Sequence, residues 1–161
     1  MKKVVKFGGS SLASAEQFTK VKDIICSDSD RRYVVPSAPG KRFSGDTKVT
    51  DMLYTCYAAA EQDEDFSDKL AKIQARYNEI INGLGLTLSL DTQFEEIASK
   101  FVAKAGKEYA ASRGEYLNGI IMANYLGYEF VDAAEVIRFN HDGSFNAAVT
   151  NKIMSKRLER V

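Results

Sequence analysis

The stretch Lys3-Val4-Val5-Lys6-Phe7-Gly8-Gly9-Ser10-Ser11-Leu12 decides how the rest of the chain is read. Its first five residues carry two valines and a phenylalanine, the composition of a short β-strand, and the paired glycines stop it. Ser14 and Gln17 follow at the spacing of a capping box, and Phe18, Val21 and Ile25 then recur as one apolar helical face. The unit is strand, glycine turn, helix. Glycines directly after a strand let backbone N–H groups approach phosphate oxygens closely, with the positive end of the following helix behind them. Lys6, on the strand just before the turn, would set an ammonium beside those oxygens, where it can stabilise a transferring phosphoryl group. The plainer alternative is a tight turn next to an exposed strand lysine.

Outward from this unit, Arg32-Tyr33-Val34-Val35 reads as a second strand, ended near Pro36 by the loop Pro36-Ser37-Ala38-Pro39-Gly40. A helical pattern begins at Thr47, and another follows with Phe66, Leu70, Ile73, Tyr77 and Ile80 on one face. Thr92 and Glu95 repeat the capping-box spacing ahead of a stripe of Phe94, Ile97, Ala98, Phe101 and Val102. After a hinge at Gly106, a helix turns Leu117, Ile120, Ile121 and Tyr125 toward a core, with Glu115, Asn118 and Met122 on a different face and Gly127 as its stop. Tyr128-Glu129-Phe130-Val131 is a third strand candidate, and a last helix runs from about 146 to 160 with Val149, Ile153 and Leu158 apolar. Strands separated by helices predict a layered α/β domain with a largely parallel sheet, whose ligands gather at the carboxyl ends of the strands.

The composition excludes several classes of function. Of 161 residues, 22 are Lys or Arg and 22 are Asp or Glu, so no net field attracts nucleic acid or an anionic membrane, and any anion site must be local. No apolar run approaches the roughly 20 residues that span a bilayer. Cys26 and Cys56 form no CxxC pair, which fits a reducing cytoplasm, and Cys56 shares a stripe with Val49, Met52, Leu53 and Ala60 as a buried, inert thiol. His141 is the sole histidine and lies in a turn-like stretch, so histidine-based triads and multi-histidine metal sites are excluded. Gly40-Lys41 lacks the earlier glycine of a Walker motif, and Gly83-Leu84-Gly85 has Leu88 where a dinucleotide fingerprint needs its third glycine.

From Val4 to Leu12 the sequence resembles the signature of aspartate kinases in the amino acid kinase family at every position: apolar, any residue, Lys, aromatic, Gly, Gly, Ser or Thr, Ser, apolar. Val34-Val35-Pro36-Ser37-Ala38 is similar to the family's second strand and substrate-facing serine, although an apolar residue is more usual at Pro36. Gly40 and Thr50 fit the glycine and threonine that follow, over a gap from Lys41 to Val49 longer than the minimal one, with Thr47 competing for the threonine's place and an N-cap role open to both. Ser112-Arg113-Gly114-Glu115 is similar to the glycine-glutamate that opens a long helix and binds the amino group of aspartate.

The resemblance implies a three-layer αβα sandwich of which residues 1–161 are the N-terminal, amino-acid-substrate half, with the nucleotide half and the regulatory domains absent. It implies Lys6 as the catalytic clamp, Lys6, Phe7, Gly8, Gly9 and Ser10 at the phosphates of ATP, and Ser37, Thr50 and Glu115 at L-aspartate. The reaction would be transfer from MgATP to the side-chain carboxylate, giving 4-phospho-L-aspartate on the route to lysine, threonine and methionine. Mg²⁺ would be held by water and a carboxylate of the missing half, in a homo-oligomeric parent. A carboxylate is already ionised at neutral pH, so no general base is required. The isolated chain is expected to bind its ligands with negligible turnover. The alternatives are a kinase of the same fold for another amino acid or carbamate, and a non-catalytic anion-binding or assembly module.

Overall fold

The structure, a computed structural model, describes residues 1–161. Two strands, β1 (Lys3–Phe7) and β2 (Arg31–Pro36), lie parallel, with Val5 opposite Val34, Lys6 opposite Val35 and Phe7 opposite Pro36. The crossover between them is α1 (Ala15–Cys26), capped by Ser14, whose Oγ accepts the amide hydrogen of Gln17 at 3.3 Å. A 3₁₀ turn, Gly9–Leu12, stands between β1 and that cap. Val5, Phe7 and Val34 pack against the core, while Val4 and Val35, 68% and 48% exposed, stand out from the sheet.

The first of two compact units, Met1–Tyr128, also holds α2 (Val49–Glu61), α3 (Ser67–Gly83), α4 (Asp91–Val102) and α5 (Lys107–Leu126). The four helices close on a core in which Phe101 meets Tyr57 edge-on with ring centroids 5.3 Å apart, and Tyr77 meets Phe94 at 6.1 Å. The stripe expected on α3 is buried as Leu70, Ile73, Tyr77 and Ile80, and Cys56 is wholly buried. Gly127, at φ +72°, stops α5 as its sequence signal predicts, since only glycine takes that conformation without cost. Gly106, at φ +108°, forms the break before α5.

Three expectations fail locally. Tyr128–Val131 form no strand, because the amide of Tyr128 is spent on the carbonyl of Ala123 at 2.9 Å in closing the end of α5. Four residues were too few for periodicity to decide. The capping box at Thr92 is absent: α4 starts two residues earlier than that cap would have it, after Leu90, so Thr92 lies inside the first turn. On α5, Asn118 and Met122 are buried along with Leu117 and Ile121, so the helix is enclosed on more faces than one apolar stripe requires.

The second unit, Glu129–Val161, contains α6 (Ala133–Val136) and α7 (Ala147–Leu158). Asn146 caps α7 by accepting from the Val149 amide at 2.9 Å, and buried Thr150 accepts from the Arg138 amide at 2.9 Å. Phe139 and Phe145 face each other across the turn that holds His141. No helix in either unit is long and apolar enough to cross a membrane.

Candidate active site

Four segments of the first unit enclose a cleft of about 510 Å³, lined by Gly9 and Ser10, by Ser37 to Lys41, by Lys48 and Thr50, and by Glu115. Ser37, Thr50 and Glu115 therefore meet Gly9 and Ser10 in one place. Lys6, Phe7 and Gly8 are outside that lining. Phe7 packs against the core, and Lys6 stands exposed beside Val35 with no hydrogen bond or ion pair. A second concavity of about 480 Å³, bordered by Phe66, Leu70, Phe94, Asp91 and Glu95, holds none of the expected residues.

The glycines of the cleft have distinct physical reasons. Gly40 donates its amide hydrogen to the carbonyl of Gly9 at 2.8 Å, and a Cβ on Gly40 would lie 2.6 Å from the Gly9 carbonyl carbon. A Cβ on Gly9 would lie 3.0 Å from the Ala38 carbonyl oxygen. Backbone thus packs on backbone, with room for no methyl group at Gly40. Gly8 differs. It has an ordinary φ of −78°, and a Cβ there would meet nothing within 4 Å. The fold does not demand a glycine at position 8, and the open space beside it is what a phosphate approaching the turn would use. The turn's first amides belong to the 3₁₀ segment and not, as the sequence suggested, to α1, which begins at Ala15.

The loop after β2 is tied down at both ends. The Ser37 amide donates to the Phe7 carbonyl at 3.0 Å, and the Ser37 carbonyl accepts from Asn118 Nδ2 at 2.7 Å. Asn118 is fully buried and its Oδ1 has no partner. Further along, Arg76 is 5% exposed and donates to the carbonyls of Gly40 and Thr47, each at 2.9 Å. Its guanidinium lies 3.5 Å from Asp46, which Arg42 also holds at 2.7 Å, and Arg42 reaches Glu79 at 2.9 Å. The Arg42 hydrogen bond is the main reason the Asp46 carboxyl sits well below the usual carboxylate range. Burial, and then the nearby charge of Arg42, lower the pKa of Arg76 from its ordinary value.

Glu115 lies about two turns into α5 and so is not the helix-opening carboxylate that the sequence suggested. It is exposed and makes no ion pair within the chain, so nothing competes with a ligand ammonium for it. Gly114 beside it lets the helix meet the loop: a Cβ there would be 2.7 Å from that of Ala38. The buried Tyr77 hydroxyl donates to the Gly114 carbonyl at 2.8 Å, and its pKa is raised first by burial and then by Glu115. Neither Thr47 nor Thr50 caps α2, because Lys48 occupies that position without a side-chain cap bond. Thr50 sits in the first turn with its hydroxyl directed to no protein acceptor.

The sequence profile of the amino acid kinase family matches residues 1–160. The chain belongs to the amino acid kinase family. Among its members, aspartokinase 3 of Bacillus subtilis (strain 168) is 38% identical over 143 residues, which are 83% of this chain and 31% of that protein. The crystal structure of Clostridium acetobutylicum aspartate kinase superposes with a TM-score of 0.94 at 46% identity, covering 98% of this chain and 37% of the other. The fold is accordingly the N-terminal part of the αβα fold of this family. Aspartokinase III of E. coli, solved in complex with aspartate and ADP, shares that fold with a TM-score of 0.78 at 23% identity. The chain spans about a third of the length of these relatives.

Several residues that build the site escaped the sequence reading. Arg76 interrupts the apolar stripe of α3, and Asn118 sits one turn past Glu115, each a polar residue at a helical position that proves buried. For Arg76, a polar residue spaced onto the apolar stripe of α3, that position is the signal; Asn118, off the stripe of its helix, gives none.

Proposed function

We propose that residues 1–161 are the amino-acid-substrate half of an aspartate kinase, which transfers the γ-phosphoryl group of MgATP to the side-chain carboxylate of L-aspartate. The observation that carries this reading is the convergence of Ser37, Thr50 and Glu115 on the same cleft as Gly9 and Ser10, from segments far apart in sequence.

In this reading the Glu115 carboxylate receives the ammonium of aspartate, and the hydroxyls of Ser37 and Thr50 donate to carboxylate oxygen. A side-chain carboxylate oxygen attacks the γ-phosphorus, the bond from that phosphorus to the β,γ-bridging oxygen breaks, and ADP leaves with the electron pair. No proton has to be removed, because a carboxylic acid with a pKa near 4 is ionised at neutral pH. Catalysis reduces to alignment and charge stabilisation. The open side of Gly8 admits the phosphates, and Lys6, unpaired at the end of β1, is free to reach the migrating group. Bound Mg²⁺ would neutralise phosphate charge, but the cleft's one carboxylate is Glu115, so its protein ligand is not among these residues.

Because its relatives are about three times longer, the chain alone is expected to bind and not to turn over. We place the parent enzyme in the cytoplasm as a homo-oligomer on the route to lysine, threonine and methionine. The test is an acyl-phosphate assay on a polypeptide that carries this chain. Hydroxylamine should trap aspartyl hydroxamate in an amount that depends on ATP and aspartate, and ATP-dependent transfer to a different amino acid in preference to aspartate would replace this reading.

A further inference from the structure

The second concavity, of about 480 Å³, shares no residue with the cleft. It runs along the seam between α3 and α4, and each helix presents to it residues three and four apart: Leu70, Ala71 and Gln74 from one, Asp91, Phe94, Glu95 and Ala98 from the other. The two helices lie antiparallel there. Gln74 Nε2 donates to Asp91 at the start of α4 at 2.8 Å, and Phe66, at the start of α3, meets Phe101 near the end of α4 with ring centroids 5.9 Å apart. Two such rows of side chains form a groove of the kind in which a third helix packs. Its floor is apolar, with Phe66, Leu70 and Phe94, and the small side chains of Ala71 and Ala98 leave room for a partner backbone to come close.

The charges of the groove select the partner. Every ionisable residue that lines it is acidic: Asp91 at one end, Glu64 and Asp65 at the other, and Glu95 along the side. All four are exposed, and none forms an ion pair within the chain. Asp65 and Asp91 also serve their own helices, Asp65 by accepting from the Ser67 amide at 2.9 Å and Asp91 by its bond to Gln74, but Glu64 and Glu95 make no hydrogen bond at all. Acidic and basic residues are equal in number over the whole chain, so this one-signed rim is a local feature and not the overflow of an acidic protein. We infer that the groove docks a basic amphipathic helix of another protein, with apolar side chains on the floor and Lys or Arg reaching the carboxylates of the rim. Nucleic acid and anionic membrane would be repelled by that rim. A second copy docking groove to groove about a two-fold axis would set carboxylate against carboxylate. The inference uses no residue of the kinase reading and stands apart from it.

The probe is a synthetic peptide of Leu and Lys, patterned so that a helix gathers its leucines on one face. One control replaces each Lys by Glu, and a second keeps the composition in an order that gives no apolar face. Titrated into the chain and followed by ¹H–¹⁵N correlation spectra, the patterned peptide should shift the amides of Ser67, Ala71, Glu95 and Ala98, and should bind about tenfold more weakly at high salt. The Glu control should not bind, and the reordered peptide should bind at least about tenfold more weakly. The double variant Glu64→Gln, Glu95→Gln should lose about tenfold in affinity for the patterned peptide, and so should Ala71→Leu, which fills the groove from an exposed position. Circular dichroism checks both variants, and the Gln pair, which changes charge and not volume, decides the matter if Ala71→Leu alters the fold. No binding of the patterned peptide, shifts spread over acidic residues elsewhere on the surface, or equal affinity for the reordered peptide would overturn the inference. So would unchanged affinity in the Gln pair. Self-association of the chain that Ala71→Leu abolishes would assign the groove to a second copy and overturn it as well.

Discussion

The amide of Gly40 donates to the carbonyl of Gly9 at 2.8 Å, which joins the turn after β1 to the loop after β2 backbone to backbone. The Gly9 and Ser37 sides of the cleft are thereby one piece, with no side chain between them. Gly40 serves the fold and Gly8 does not, which separates their mutational consequences.

Gly40→Ala should destabilise the protein by about 1–3 kcal/mol, because its methyl group meets backbone that cannot swing aside. Gly8→Ala should leave the melting temperature close to that of wild type and weaken ATP binding, since its methyl group fills only the open side of the turn. Thermal melts and ATP titrations on the two variants check this. Equal loss of stability in both would contradict the division of roles.

Asn118 supplies the second handle on the loop after β2. Asn118→Asp should be strongly destabilised at neutral pH, because a buried carboxylate would face the Ser37 carbonyl where an N–H now donates. Burial raises the folded-state pKa of such an acid, so the folded protein binds the extra proton and stability should rise as pH falls toward 5. Urea denaturation of this variant at pH 8 and pH 5 measures the slope, and a flat or reversed one would contradict it.

Asp46 should give the opposite slope in the wild-type protein. Its folded pKa is depressed, chiefly by the Arg42 hydrogen bond, so its contribution is present above about pH 4, the unfolded value, and is lost as pH drops further. Asp46→Asn should be less stable at pH 7 and decline less steeply between about pH 4 and pH 2. Denaturation curves across that range provide the comparison.

Thiol labelling should discriminate the two cysteines. Burial pushes the Cys56 thiol up to about 11 and removes it from solvent, whereas Cys26 is exposed. Iodoacetamide at pH 8 should modify Cys26 alone until the chain is unfolded, as peptide mass mapping would show.

Lys6→Ala, made in a polypeptide that carries the complete kinase, should lower kcat by ~100-fold or more with little change in melting temperature. The side chain is exposed and partnerless, so its removal costs the fold nothing. An unchanged kcat would take Lys6 out of the mechanism.

Much of this was legible because it is local. The β1 turn, the cap at Ser14, the stripe on α3 and the stop at Gly127 are each set by a few neighbouring residues, and each stands where its signal put it. Tyr128–Val131 was not legible, because hydrogen bonding to the end of α5 competes with strand pairing and leaves no trace in a four-residue pattern. That Ser37, Thr50 and Glu115 belong together was readable from a family signature, and they line one cleft. Their support was not: Arg76 and Asn118 act on carbonyls 36 and 81 residues away, and a sequence does not display which backbone a buried polar side chain will meet. The same holds for Gly40, whose need to be glycine comes from Gly9.

The most direct measurement is a ¹H–¹⁵N correlation spectrum of the chain titrated with L-aspartate. The amides of Ser37, Gly40, Thr50 and Glu115 should shift together and saturate at one affinity. Shifts confined to the Phe66, Leu70 and Phe94 concavity, or none at all, would contradict the assignment of this cleft to the amino-acid substrate.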